Sequence, residues 1–263
     1  MSLPLSLPRP ARGIRFLGAV IALLAALGFP AASGQSPQPA AQPQRIIVFG
    51  ASGRVGSRVV AEALNRGHRV TGVSRDPAAL ADDRPGFTAV VGDVTDAASV
   101  AALVRGYDVV VSTIGGSNEA SDDPELSIPA QAGRALVAGL RSIDGDRPRL
   151  IVVGGGSTTL ESSPGVPIDD PTDIPTGPRG ARILGHRVVL NLLRTVEDLR
   201  WTFFSPALEM RPGERSGVFR VGGSVVIRDA DGESRISMED FAVAMLDEIE
   251  HPQHIGGQMT VAY

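Results

Sequence analysis

Gly50, Gly53 and Gly56 recur at intervals of three in the stretch Gly50-Ala51-Ser52-Gly53-Arg54-Val55-Gly56. The apolar run Ile46-Ile47-Val48-Phe49 leads directly into them, and a helical pattern follows. Each glycine has its own task in such a turn. Gly50 permits the tight bend, Gly53 lets backbone approach a pyrophosphate, and Gly56 lets the next helix lie close on the sheet. The helix start then offers N–H groups and a partial positive charge to an anion. Ser52, Arg54 and Val55 fill the loop and complete its predicted contact set. Spaced glycines alone are a weak signal. Strand, triplet and amphipathic helix in that order are what a dinucleotide site requires. The alternative is a tight strand–helix turn that grips nothing.

The type of dinucleotide is set at the end of the next strand, roughly twenty residues on, where an acid would hold the ribose 2′-hydroxyl of NAD. Ser74-Arg75 stands there instead, with Arg54 in the loop. Two guanidinium groups and a hydroxyl suit a 2′-phosphate through charge-assisted hydrogen bonds. This predicts NADP(H) as the preferred cofactor, with NAD(H) the alternative if Asp76 meets the ribose. Pro77 argues that Asp76 opens a helical turn instead, and Arg54 has the competing reading of a solvated surface charge. Beyond the third strand, Asp93 is placed to accept from an adenine amino group while Val94 packs on the ring. Helix capping competes for this segment, more strongly at Asp96. Thr113, Ile114 and Gly115 end the fourth strand, where small residues let backbone pass close to a cofactor. Pro206 ends the sixth and is expected at the nicotinamide face.

The chain also excludes chemistry. All 25 basic residues are arginine, and cysteine is absent. No Schiff-base lysine, phosphate-loop lysine, thiol nucleophile or thiolate metal site can exist. Of the four histidines, His68, His186, His251 and His254, His68 reads as structural; His251 and His254 flank Pro252 at a spacing that could suggest metal, but no carboxylate partner is convincingly placed, so no metal site is expected. With 29 acids, a formal charge of −4 and 43% hydrophobic residues over 263 positions, the composition is that of a globular protein. It argues against a nucleic-acid partner.

The elements that position these residues alternate regularly. Strands are predicted at 45–50, 69–74, 87–92, 107–112, 149–153 and 201–205. Helices follow the glycine loop (ended by Gly67) and are predicted at 96–104, 128–143 and within 178–199. That alternation gives an α/β, Rossmann-type doubly wound parallel sheet with right-handed crossovers. On the last of these helices Leu184, Val188 and Leu192 are predicted as the buried stripe, with His186 at its boundary. From about residue 206 a small C-terminal substrate lobe is expected within one domain spanning 45–263. It comprises a hairpin of 217–221 with 224–228 about Gly222-Gly223, a helix over 238–249 capped by Ser237, and a strand at 258–262. Residues 1–34 read as a signal peptide: Arg9, Arg12 and Arg15 precede an apolar run of about fourteen residues, and Ala31-Ala32-Ser33-Gly34 offers cleavage after Ser33 or Gly34. An uncleaved anchor or a misassigned start is the alternative. Residues 35–44 form a flexible linker. Cleavage would leave 22 arginines against 29 acids. The mature chain would then be exported, with no stable membrane span; without cleavage it would be cytoplasmic or membrane-tethered.

Together these residues resemble the short-chain dehydrogenase/reductase superfamily, specifically its atypical, NmrA-like NAD(P)H-binding branch. The resemblance runs over residues 46–263. It is carried by the glycine loop, Ser74-Arg75-Asp76-Pro77, Gly92-Asp93-Val94-Thr95-Asp96, Val153-Gly154-Gly155-Gly156-Ser157, Trp201-Thr202-Phe203-Phe204-Ser205-Pro206, and the tail motifs Pro212-Gly213-Glu214-Arg215-Ser216-Gly217 and Ile236-Ser237-Met238-Glu239-Asp240. The chain departs from the superfamily at its catalytic pair. Typical members use a tyrosine with a lysine four residues on, but this chain has no lysine, and Tyr107 and Tyr263 both lie outside the corresponding helix. His186 falls near the position of the family lysine, and Ser157 matches the catalytic-serine region. Either could position substrate, and either could be structural. The resemblance implies an NADPH-dependent reductase acting on a small-molecule acceptor such as a flavin or quinone, or a non-catalytic NADP(H) sensor. Oligomeric state is not readable.

Overall fold

The computed structural model describes residues 42–80, 83–116, 121–168 and 173–263. The predicted leader and residues 35–41 of the linker lie outside them. The strands are β1 (Arg45–Phe49), β2 (Arg69–Ser74), β3 (Phe87–Val91), β4 (Val109–Ser112), β5 (Arg149–Val153), β6 (Glu161–Ser163), β7 (Val166–Pro167), β8 (Trp201–Pro206), β9 (Glu209–Arg211), β10 (Arg220–Gly222), β11 (Arg235–Ser237) and β12 (Gly257–Ala262). The helices are α1 (Gly56–Asn65), α2 (Ala97–Leu103), α3 (Ile128–Arg141), α4 (Gly156–Thr159), α5 (Pro178–Leu193) and α6 (Met238–Glu250).

Eight strands form one sheet in the order β10-β12-β8-β5-β4-β1-β2-β3. Seven are parallel, and β10 is antiparallel at the edge. The order β3-β2-β1-β4-β5-β8 reverses direction at β1, and the crevice beyond the C-terminal ends of the strands there is where open α/β sheets bind ligands. Alternation along β1 sends Ile46 and Val48 into the core beneath α1 and α6, and Ile47 and Phe49 into the core beneath α2, α3 and α5. All four are buried, as continuous apolar strands of a two-faced sheet must be. Phe204 of β8 stacks on Phe241 of α6 with centroids 4.2 Å apart.

The start and stop signals act as their chemistry dictates. Gly67 adopts φ +83° after α1, and the N–H groups of Gly67 and His68 return to Leu64 and Ala63, a Schellman ending. Asp96 caps α2 by accepting from Ala98 N. Ser237 caps α6 by accepting from Asp240 N at 2.9 Å.

The chain after β8 departs from expectation in one place. The 217–228 hairpin does not form. β10 pairs with the buried strand β12, and the segment after Gly223 bonds around Glu161, whose N–H donates to Ser224 O and whose carbonyl accepts from Val226 N. β12 offers β10 the edge of the fully formed main sheet, while 224–226 is drawn off to bond Glu161. β12 and α6 complete the main sheet and its face, while β9 and β11 form a separate two-stranded parallel sheet.

Candidate functional site

A cleft of about 950 Å³ lies at the C-terminal ends of the strands. Of the residues singled out from sequence, Gly50, Ser52, Gly53, Arg54, Val55, Ser74, Arg75, Asp93, Val94, Thr113, Ile114, Gly115, Ser157 and His186 all line it. Gly56 and Pro206 do not. Gly56 sits beneath the loop, where an added Cβ would drive into the Gly50 carbonyl and come within 2.7 Å of Thr113 Oγ1. Pro206 is buried in β8, and its carbonyl lies behind Gly156, 2.7 Å from where a Cβ would stand.

The glycine loop is a close-packed cradle. Gly50 has φ +83°, a conformation other residues rarely adopt, and Gly53 N donates to Gly50 O at 2.9 Å. Thr113 Oγ1 lies 3.1 Å from both Phe49 O and Gly50 O. Thr113 therefore clamps the turn with its hydroxyl rather than offering it to a ligand. No side chain caps the start of α1, so its N-terminal dipole opens on the cleft.

At the end of β2, Ser74 and Arg75 reach the cleft but Asp76 does not. Asp76 accepts from Ala78 N at 3.0 Å and opens the short 3₁₀ turn Pro77–Leu80. Its own N–H donates to Ser74 Oγ at 3.1 Å. Asp93 commits Oδ1 to the hydroxyl and N–H of Thr95. These bonds, with the charge of Arg75, hold its carboxyl below the usual range. One of its oxygens is thus already engaged in a turn.

The other end of the cleft is built by α4 and α5. Ser157 is exposed on α4. His186 is half-buried, its ring Cδ2 3.4 Å from where a Cβ on Gly155 would stand, and neither ring nitrogen has a hydrogen-bond partner among the described residues. Burial, with the nearby Arg182 guanidinium, pushes its pKa down to about 4. It is therefore a neutral imidazole at physiological pH. The stripe that packs α5 into the fold is Ala181, Gly185 and Val189 with Leu190 and Leu193, not the predicted 184, 188 and 192. A Cβ at Gly185 would collide with Ser127 Oγ, so the helix meets the body of the protein through small residues. The two remaining histidines that make side-chain bonds are elsewhere: His68 Nε2 lies 2.9 Å from Glu250, and His254 Nδ1 2.9 Å from Glu248. Arg182, Gln131, Met210 and Met238 also line the cleft and were not foreseen. Arg182 carried a readable signal, since it precedes His186 by one helical turn.

The NAD(P)H-binding family matches the chain over residues 50–252. The uncharacterised protein YwnB of Bacillus subtilis is 34% identical over 221 residues, covering 82% of this chain and 97% of YwnB. Among solved structures, a candidate exported protein from Burkholderia pseudomallei is 42% identical, with TM-score 0.71, covering 84% of this chain and all of that one. A candidate NADH-flavin reductase from Streptococcus pneumoniae is 25% identical, with TM-score 0.69, covering 83% and 99%. Among the described residues, no helix is long and apolar enough to cross a membrane.

Proposed function

Because this chain belongs to the NAD(P)H-binding family, an atypical short-chain-dehydrogenase-like family of nicotinamide-cofactor proteins, we propose that it is an NADPH-dependent reductase of a flavin, quinone or similar acceptor. The observation that carries the reading is the single cleft. It joins an uncapped, glycine-cradled helix start to Arg54, Ser74 and Arg75 at one end, and to Ser157 and His186 at the other.

In this reading the loop from Gly50 to Val55 and the start of α1 hold the pyrophosphate. Arg54, Ser74 and Arg75 hold the 2′-phosphate. Asp76, turned away to cap Ala78, leaves no acid to favour a 2′-hydroxyl. When bound, the cofactor supplies a hydride. Ser157 donates a hydrogen bond to the acceptor, and the neutral His186 ring, without the acidic second proton of an imidazolium, positions it. The absence of the tyrosine–lysine pair suits this role, because flavins and quinones accept hydride with little help from protein acids. The candidate flavin reductase from S. pneumoniae supports the acceptor class.

Purified protein mixed with NADPH and FMN, a quinone or dichlorophenolindophenol should oxidise the cofactor. NADPH binding at micromolar concentration with no turnover on any acceptor would favour a sensor instead. We further propose export, on the basic and apolar leader and the B. pseudomallei relative. Mass spectrometry of the native protein should find a chain beginning at Gly34 or Gln35; an intact Met1 or Ser2 end in the cytosol would refute this.

A further inference from the structure

The cleft has two chemically different ends. Near the glycine loop its charged side chains are Arg54, Arg75 and Asp93. Between α4 and α5, among the described residues, the charged side chain is Arg182. Arg182 is half-buried, and its Nη1 donates to the Gly116 carbonyl at 2.9 Å. It forms no ion pair with a carboxylate of the described residues. A guanidinium offers five N–H donors and cannot discharge itself, so among the described residues most of its donors and its charge are uncommitted. His186, one turn further along α5, shares this face and stays neutral beside it. Among the described residues no acid lines this wall of the cleft, although the whole chain is formally −4. Elsewhere the cleft is lined by Met210 from β9 and Met238 from α6. Thioethers are polarisable and pack well on aromatic rings.

We propose that the α4–α5 end of the cleft binds the acceptor through an anionic substituent, a phosphate or carboxylate carried by a planar aromatic molecule, and that Arg182 holds that substituent. This rests on the reductase reading and names its substrate class. A charge-assisted bond from a half-buried guanidinium is the interaction that separates an anionic acceptor from its neutral analogue. Ser157 and His186 then orient the ring rather than the charge.

The test is flavin binding without NADPH, followed by quenching of flavin fluorescence, with FMN and riboflavin compared at low salt. The intact protein should bind FMN about tenfold more tightly or better, the scale of one charged hydrogen bond. Arg182→Gln should bring the ratio of the two affinities close to one, and Arg182→Lys should restore part of it. A carboxylated quinone against its neutral parent should show the same pattern, which separates recognition of any anion from recognition of phosphate alone. NADPH titration of each variant reports whether the cleft is intact. Equal binding of FMN and riboflavin by the parent protein, or a preference that survives Arg182→Gln, would overturn the assignment of Arg182 and leave the reductase reading standing if both flavins are reduced. Failure to bind any flavin or quinone, or to bind NADPH, would overturn both.

Discussion

Arg75 and Asp76 are neighbours with opposite fates: the guanidinium lines the cleft, while the carboxylate caps Ala78 and does not. Arg75→Ala should weaken NADPH binding by about 1.5–3 kcal/mol, the worth of a charged hydrogen bond, and leave NADH nearly unaffected. Calorimetry with both cofactors checks it, and equal losses for the two would contradict it. His186 carries the second residue-scale expectation. Its pKa is about 4 in the folded chain against about 6.5 in an unfolded one. Between these values the unfolded chain binds a proton at this position that the folded chain does not. The stability that a neutral His186 contributes is therefore complete above pH 6.5 and lost as the pH falls toward 4. Denaturant unfolding of His186→Gln across this window should show a flatter profile than the parent. Acceptor reduction between pH 6 and 8 should show no titration from this ring, and its removal should cost less than about tenfold, below the 10²–10⁴ typical of a general acid. The sequence left His186 open between lining a cleft and being structural, and the fold sets it on the cleft wall. Its neutrality was not legible, because it arises from burial and from Arg182, and both depend on how α5 packs.

The strand–loop–helix unit was legible because its demands are on backbone, and only glycine meets them. Gly56→Ala tests this directly. The added methyl meets Gly50 O and Thr113 Oγ1, so the loop must shift. A cost of about 1–3 kcal/mol in thermal or chemical unfolding is expected, as for overpacking elsewhere, together with weakened dinucleotide binding. Unchanged affinity would show that the loop does not grip the cofactor. The caps at Asp96 and Ser237 were legible for a similar reason: short polar side chains at helix starts have few other uses. The buried face of α5 was not. Its contact stripe runs through Ala181 and Gly185, where hydrophobicity is low and closeness of approach is what matters; Gly185 packs on Ser127. A reading that searches for leucine and valine selects 184, 188 and 192 instead. The missing hairpin failed on a different ground, since the competing partner β12 lies about forty residues away in sequence.

Across the whole molecule, α1 and α6 are tied through charge as well as core. The buried Glu62 bonds Arg66 and Arg215, and Arg66 also bonds Asp247 and Glu250. The bond from Arg215, with help from Arg66, holds the Glu62 carboxyl below its usual range. The helix that presents the glycine loop is thereby braced against the helix that contributes Met238 to the cleft. The α/β class followed from alternating periodicities, because the covering helices need both faces of the sheet apolar. The wall made by β9, β11 and the start of α6 joins segments more than twenty residues apart, so its methionines had no local signature. What this assembly does is tested most directly by one anaerobic stopped-flow experiment, in which the protein is mixed with NADPH and FMN and the absorbances of both are followed together. Loss of the NADPH band matched one for one by loss of the oxidised FMN band, at a rate that saturates with FMN, is the outcome expected of a reductase. Saturable NADPH binding with both bands unchanged would contradict it.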